Sequence, residues 1–205
     1  MFTNRIEAGR LLSKELESYK AKNAIILPVP RGGLPIGVII AKQLELPLDV
    51  VLIKKIGHPF NKEYAIGAVS LNHVILDNQA SGISRDYITE ETKRLRTILK
   101  ERYKQYYIKR KPRNLKNRTA ILVDDGIATG NTILATAQLV YEESPSKIIV
   151  AVPVAPRSSI LNLVSSSFID EVICLEQPPV FHGVGEFYEN FEQVSDEEAV
   201  NLFES

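Results

Sequence analysis

The sequence predicts an α/β fold, a doubly wound and mainly parallel sheet with an inserted excursion of hairpin and helix and a small C-terminal segment. Three observations predict it. The runs AIILPVP, TAILVDD and KIIVAVPV are short and continuously apolar, as strands covered on both faces must be, and they lack the alternation of half-exposed strands. Each is followed by a turn of glycine, proline or other small residues, and the first two turns lead into a helical pattern, the order that builds a parallel sheet through crossover helices. The chain has 205 residues, 44% apolar and 24% charged, which fits one decorated domain over residues 1–205 with enough core to fold without staples.

Taken in order, the first element is a helix opened by Asn4, whose side chain can cap while Glu7 reaches back, with Ile6, Leu12, Leu16 and Tyr19 on one face. Residues 24–30 form a buried strand, Arg31, Gly32 and Gly33 a turn, and LPIGVIIAKQL a helix. LDVVLIKK, residues 48–55, reads as a second buried strand parallel to the first through that helix. GHPFNKE is turn-rich, AIGAVSL and HVILD are two short strands joined near Asn72, and DNQASG is a loop. A helix over 89–108 then puts Leu95, Ile98, Leu99, Tyr103 and Tyr106 on one seam, and Pro112 blocks its continuation. This excursion covers about 56–118. TAILVDDG, NTILATAQLVYEE, KIIVAVPVAP and DEVICLEQP continue as strand, helix, strand and strand. The C-terminal segment, about 176–205, ends in a helix capped by Ser195 with Glu198 three residues on.

The 25 basic and 25 acidic residues cancel, but not locally. Residues 93–118 carry 12 basic groups and 1 acidic, while residues 170–205 carry 10 acidic groups and no basic one. Neutrality is therefore a balance between two opposed blocks. A single cysteine, Cys174, excludes an internal disulfide and a cysteine-based zinc site, and suits a reducing, cytoplasmic setting. The charged N-terminal helix is not a secretory leader, and no apolar run approaches membrane-spanning length, so no membrane partner is expected.

Chemistry concentrates in ILVDDGIATGNT, residues 121–132. A buried strand delivers Asp124 and Asp125, and a small-residue loop then opens a helix. Ala128, Thr129, Gly130, Asn131 and Thr132 can turn successive N–H groups and hydroxyls onto one phosphate at the helix N-terminus, where the dipole favours an anion. The two carboxylates, at the carboxyl end of the strand, are then placed to accept sugar hydroxyls or hold Mg²⁺. No GK[ST] follows the glycine, so this is not a Walker loop. Arg31, Gly32 and Gly33 leave the first strand at the same sheet edge and suit a second anion, and Lys54 and Lys55 end the strand expected after it.

VDDGIATGNT resembles the binding motif of the type I phosphoribosyltransferases: a strand, two acidic residues, and a small-residue loop ending TGxT. PRGGLPIG, KKIGHP, EYAIGAVS and GVGEFYENFEQVSDEE resemble, more closely, a group of bacterial phosphoribosyltransferase-domain proteins of unassigned substrate, and this likeness spans most of the chain. The resemblance implies transfer of ribose 5-phosphate from phosphoribosyl pyrophosphate to a nitrogenous base, with Mg²⁺ as cofactor and a homodimer as the assembly. It implies that Ala128, Thr129, Gly130, Asn131 and Thr132 hold the 5-phosphate and that Asp124 and Asp125 engage the ribose, directly or through the metal. It also implies that Arg31, Gly32, Gly33 and Lys54 or Lys55, Lys55 above all, meet the pyrophosphate. His58, in the segment matching the family's mobile loop with Asn61 and Glu63, would donate a proton or hydrogen bond to the leaving group. In the resembled family a terminal segment forms a hood over the acceptor base, which implies a small C-terminal hood over about 176–205; among Phe181, Phe187, Tyr188 and Phe191, an aromatic ring such as Phe181 or Tyr188 would stack on the base there, the others packing in the core. Enzymes that salvage 6-oxopurines usually have an acidic residue where this chain has Ala128, which weakens that substrate class. The alternative reading is a non-catalytic regulator that senses phosphoribosyl pyrophosphate and binds nucleic acid through the basic block, where Tyr103, Tyr106 and Tyr107 stand among lysines and arginines. A hydrolase of phosphorylated sugars at the same pocket is a third.

Overall fold

The computed structural model describes residues 1–77 and 80–205. Part of the expected DNQASG loop, residues 78 and 79, and the Glu63 side chain lie outside the described residues. The chain divides into two compact units, one of Met1–Val51 with Pro112–Ser205 and one of Leu52–Lys111.

The first unit is built on four parallel strands in the order β1-β5-β6-β7: β1 (Ala24–Pro28), β5 (Thr119–Val123), β6 (Lys147–Val154) and β7 (Glu171–Glu176). Side chains alternate across this sheet. Ile26, Ile121 and Ile149 point to one face, where they pack with Leu12 of α1 (Arg5–Glu15) and Ile36 and Ile40 of α2 (Gly33–Leu44). Ile25, Leu27, Leu122 and Val150 point to the other, against Ile133 and Ala137 of α4 (Asn131–Tyr141) and Leu163 of α5 (Arg157–Val164). Both faces are covered, which is why the strands read as unbroken apolar runs. The C-terminal helix α6 (Asp196–Glu204) is capped by Ser195, whose hydroxyl accepts the Glu198 N–H at 3.0 Å.

This arrangement creates a switch point. β1 and β5 are neighbours, yet the helix after β1 packs on one face and the helix after β5 on the other. The loops leaving their carboxyl ends therefore lead to helices on opposite faces, the topological switch point at which open α/β sheets bind ligands.

The second unit is an antiparallel sheet of β2 (Lys54–His58), β3 (Asn61–Val69) and β4 (Val74–Leu76) with the helix α3 (Arg85–Tyr106). Ile56, Ile66, Val69, Leu95 and Leu99 form its core. The two strands expected around Asn72 are β3 and β4, and α3 starts one turn before the expected Thr89.

Three expectations are corrected. Residues 48–55 do not form one strand: Leu48 makes a single parallel bridge to Ile26, and Lys54 and Lys55 begin β2, antiparallel to β3. The pairing stops after the Asp49 N–H, which donates to the Ile26 carbonyl at 3.0 Å, because the next residue of β1 in register is Pro28, which has no N–H to give to the Asp49 carbonyl; the buried Asp49 carboxylate instead accepts the Val50 and Arg113 N–H groups at 2.8 and 2.6 Å. Ile6 is 46% exposed, and Ala8 and Gly9 lie in the α1 interface instead, where small residues let α1 approach α2 closely. Finally, α5 is an element the sequence reading lacks. Pro156 before it and the Ile160–Leu163 spacing are its sequence signals.

Candidate functional site

The two glycine-bearing loops meet at the end of the sheet. Val29 donates its N–H to the Val123 carbonyl at 2.8 Å, which extends the β1-β5 pairing into the loops themselves. Arg31, Gly32 and Gly33 then pass directly against Asp124 and Asp125. A Cβ on Gly32 would strike the Asp125 carboxylate, and one on Gly33 would lie 2.5 Å from the Val123 carbonyl oxygen. Only glycine permits this approach. The Pro30–Arg31 peptide is cis.

Beyond Asp125 the chain turns back to pair Ile127 N–H with the Val154 carbonyl at 2.9 Å, then forms the loop that opens α4. Gly130 caps α4 at φ +81°, a conformation that a side chain disfavours. Ala128, Thr129 and Asn131 are exposed and Thr132 half-buried, so the loop and the first-turn N–H groups of α4 face outward at the positive end of the helix dipole. Ser159, a residue sequence reasoning missed with the rest of α5, donates from Oγ to the Ala128 carbonyl at 2.6 Å and fixes the loop from behind.

The two carboxylates differ. Asp124 Oδ1 accepts the Asp125 N–H at 2.9 Å, and burial, followed by the adjacent Asp125 charge, holds the Asp124 carboxyl well above the usual carboxylate range. Asp125 carries a cation instead: Arg5 Nε and Nη2 donate to its Oδ2 at 2.9 and 2.7 Å. Arg5 was also missed, because nothing local in MFTNRIEAGR links it to a motif 120 residues away.

Arg31 Nη1 lies 3.8 Å from Asp196 in the first turn of α6. In the hood, Phe181 is half-buried and stacked on Phe187 with ring centroids 5.5 Å apart. Tyr188, expected as a ring for stacking on an acceptor, is instead 6% exposed, packed between Phe2 and Phe191. Its hydroxyl donates to the Asp125 main-chain carbonyl at 2.6 Å, and burial pushes its ionisation upward. Its role as placed is to anchor the backbone beside the carboxylates. Cys174 is partly buried, donates to the Glu176 carbonyl, and has its thiol pushed up to about 11 by burial.

Arg31, Gly32, Gly33, Asp124, Asp125 and the 128–132 loop thus all belong to the first unit. Lys54, Lys55 and His58 belong to the second, on β2. There His58 Nδ1 accepts the Phe60 N–H at 3.2 Å, at a hairpin tip where Phe60 is 93% exposed.

Among the described residues no group of three or more His, Cys, Asp or Glu is placed to hold a metal ion. Two adjacent carboxylates are what the site offers, a hard oxygen set. Mg²⁺ is commonly held by one or two carboxylates together with substrate phosphates and water, so the donor set fits that ion.

The family model of the phosphoribosyl transferase domain matches residues 3–182. Two Mycobacterium tuberculosis proteins, named "Putative phosphoribosyl transferase Rv0571c" (strain H37Rv) and "Putative phosphoribosyl transferase MT0597" (strain CDC 1551), are each 35% identical over 204 residues. The match covers 98% of this chain and 46% of theirs, so the chain spans about half the length of the curated relatives it matches. The crystal structure of TT1426 from Thermus thermophilus superposes with a TM-score of 0.90 at 34% identity, covering 99% of this chain and 97% of that one. The family model spans most of the chain and these relatives match nearly all of it, so the chain belongs to the phosphoribosyl transferase domain family.

Proposed function

We propose that the protein transfers ribose 5-phosphate from phosphoribosyl pyrophosphate to a nitrogenous base and releases pyrophosphate. The observation that carries this reading is the contact of the Gly32–Gly33 backbone with Asp124 and Asp125, because it sets two anion-binding loops on either side of one carboxylate pair. A donor with phosphates at both ends of a ribose needs that order. The loop of Ala128, Thr129, Gly130, Asn131 and Thr132 takes the 5-phosphate through backbone N–H groups and hydroxyls. Arg31, Gly32 and Gly33 take the pyrophosphate, and the family resemblance adds Lys54, Lys55 and His58 as candidates for the same group. As pyrophosphate leaves, positive charge develops on the ribose, and carboxylates fixed beside the ring stabilise it without reorganising. Asp124 and Asp125 would hold Mg²⁺, which when bound supplies charge neutralisation to the leaving group. No covalent nucleophile is required. Phe181, half-buried in the hood and stacked on Phe187, is the ring proposed to meet an acceptor, and the base itself is left open. The cytoplasm and a homodimer are the expected setting and assembly; no helix among the described residues is long and apolar enough to cross a membrane.

The test is a melting experiment with phosphoribosyl pyrophosphate and Mg²⁺, followed by pyrophosphate release across a panel of bases. Ligand at ~100 times its dissociation constant adds ~2.7 kcal/mol of stability. A protein that gives no shift at millimolar ligand is not a transferase of this donor.

A second reading, a regulator that senses the same donor and binds nucleic acid, is favoured by the exposed face of α3. Lys93, Lys100 and Lys104 are exposed along it, and the half-buried Tyr103 and Tyr107 rings pair at 4.4 Å. Donor binding without turnover on any base, together with single-strand binding that weakens steeply with salt, supports this reading over the first.

A further inference from the structure

The two carboxylates of the pair are held by different partners, and the difference originates at the other end of the sequence. Arg5 is the first residue of α1, directly after the Asn4 cap. One edge of its guanidinium donates twice to Asp125 Oδ2, at 2.9 and 2.7 Å. Its remaining nitrogen, Nη1, donates to the Glu192 main-chain carbonyl at 2.7 Å, and its face lies 4.0 Å from the centre of the Phe191 ring. A planar fork can serve a carboxylate, a carbonyl and a ring together, which a point-charge ammonium cannot. The pair is largely enclosed, with Arg5 at 11% and Asp125 at 15% side-chain exposure, so it is screened less than a surface ion pair.

The hood is tied to the same place by independent bonds. Tyr188 holds the Asp125 carbonyl, Phe2 N–H donates to the Phe187 carbonyl at 2.7 Å, and Glu189 and Asn190 donate to the Phe2 and Thr3 carbonyls at 2.8 and 3.0 Å. The residues just before α1 and the hood thus form one hydrogen-bonded assembly, and Arg5 is where that assembly grips the carboxylate pair. Asp124 receives only the neighbouring Asp125 N–H among the contacts described.

Resting on the transferase reading, we propose that Arg5 is a positioning residue: by holding Oδ2 of Asp125 and the 191–192 segment together it fixes the orientation of the Asp125 carboxylate, so that Asp125 Oδ1 and Asp124 meet the ribose hydroxyls of the donor in one set geometry. Arg5 touches no reacting atom in this scheme. It acts through Asp125, and this distinguishes it from a residue that merely stabilises the fold.

The experiment measures dissociation constants by ligand-induced melting shifts for phosphoribosyl pyrophosphate with Mg²⁺ and, separately, for inorganic pyrophosphate. The proteins are the unmodified chain, Arg5→Gln, Arg5→Lys, Asp125→Asn and the double variant Arg5→Gln with Asp125→Asn. Loss of hydrogen bonds to a charged group predicts that Arg5→Gln weakens donor binding by about 10- to 100-fold, with part recovered in Arg5→Lys. Inorganic pyrophosphate, which has no ribose, changes far less. The double variant binds the donor no worse than Asp125→Asn alone, because both substitutions break the same link. If Arg5→Gln does not fold, the same cycle is run with Arg5→Lys. Donor binding by Arg5→Gln equal to that of the unmodified chain, or single effects that multiply in the double variant, overturns the inference and leaves the transferase reading standing. An unmodified chain that ignores the donor overturns the transferase reading and this inference with it.

Discussion

Ser159 Oγ donates to the main-chain carbonyl of Ala128 at 2.6 Å, so the loop proposed to hold the 5-phosphate is fixed from α5, an element with no part in the motif itself. Ser159 is buried. Ser159→Ala leaves the Ala128 carbonyl without this donor, a loss of ~1 kcal/mol. For a chain of this length that lowers the melting temperature by about 2–4 °C. The effect on function is expected to be larger than on stability: affinity for inorganic phosphate and for the donor falls several-fold because the loop N–H groups are no longer aimed together. Calorimetric melts with and without phosphate measure both. Equal phosphate affinity in the two proteins removes Ser159 from the positioning of the loop.

Gly32→Ala places a methyl group into the Asp125 carboxylate, which is itself pinned by Arg5. Neither partner yields easily. Overpacking of this kind costs about 1–3 kcal/mol. The expected outcome is a folded protein with a lowered melting temperature and donor binding weakened at least tenfold, read by titration. Gly82, at φ +86° with open space around it, is the control: its alanine variant carries only backbone strain and leaves donor binding unchanged.

Asp124→Asn combined with Asp125→Asn is expected to abolish base-dependent pyrophosphate release while inorganic phosphate still protects the fold against heat, because the phosphate loop is built from backbone groups of 128–132. Chelation of Mg²⁺ from the unmodified protein is expected to reduce the donor-induced melting shift in the same way. Unchanged turnover in the double variant removes the carboxylates from the mechanism.

Much of this site is legible in the sequence because it is local. VDDGIATGNT places the carboxylates and the loop proposed for the 5-phosphate within ten residues, and a strand end followed by a glycine-capped helix can fold in few ways. PRGG is legible for the same reason, and its meeting with Asp125 follows once β1 and β5 lie side by side. Long-range pairing is what the sequence conceals. Arg5 looks like an ordinary solvent-facing helix residue until the fold brings Asp125 and Glu192 to it. Tyr188 looks like a stacking ring because hydrophobicity does not reveal whether a hydroxyl has found a buried partner. The strand expected over 48–55 ends after Asp49, because the next β1 residue in register is Pro28, which has no N–H to continue the ladder, and which residues lie opposite one another is a matter of register that an apolar run does not announce.

The second unit supplies a pH prediction. Glu91 of α3 is buried and held by Arg94 through Nε at 2.9 Å and Nη2 at 2.8 Å, with Lys62 of β3 at 3.6 Å. The Arg94 hydrogen bonds come first, and with the Lys62 charge they hold the Glu91 carboxyl below its usual range against the opposing effect of burial. A carboxylate with a depressed folded-state value stabilises the protein at pH above the unfolded value, and that stability disappears as pH falls through the folded one. Lys62 also donates to Tyr87, whose hydroxyl donates to the Gly57 carbonyl, so the same cluster ties the β2-β3 hairpin to α3. The prediction is that melting temperature falls between neutral pH and about pH 3 more steeply in the unmodified chain than in Glu91→Gln, which starts lower because the Arg94 and Lys62 charges lose their partner. The two curves converge at the acid end. Parallel curves across that range mean that Glu91 does not titrate with folding.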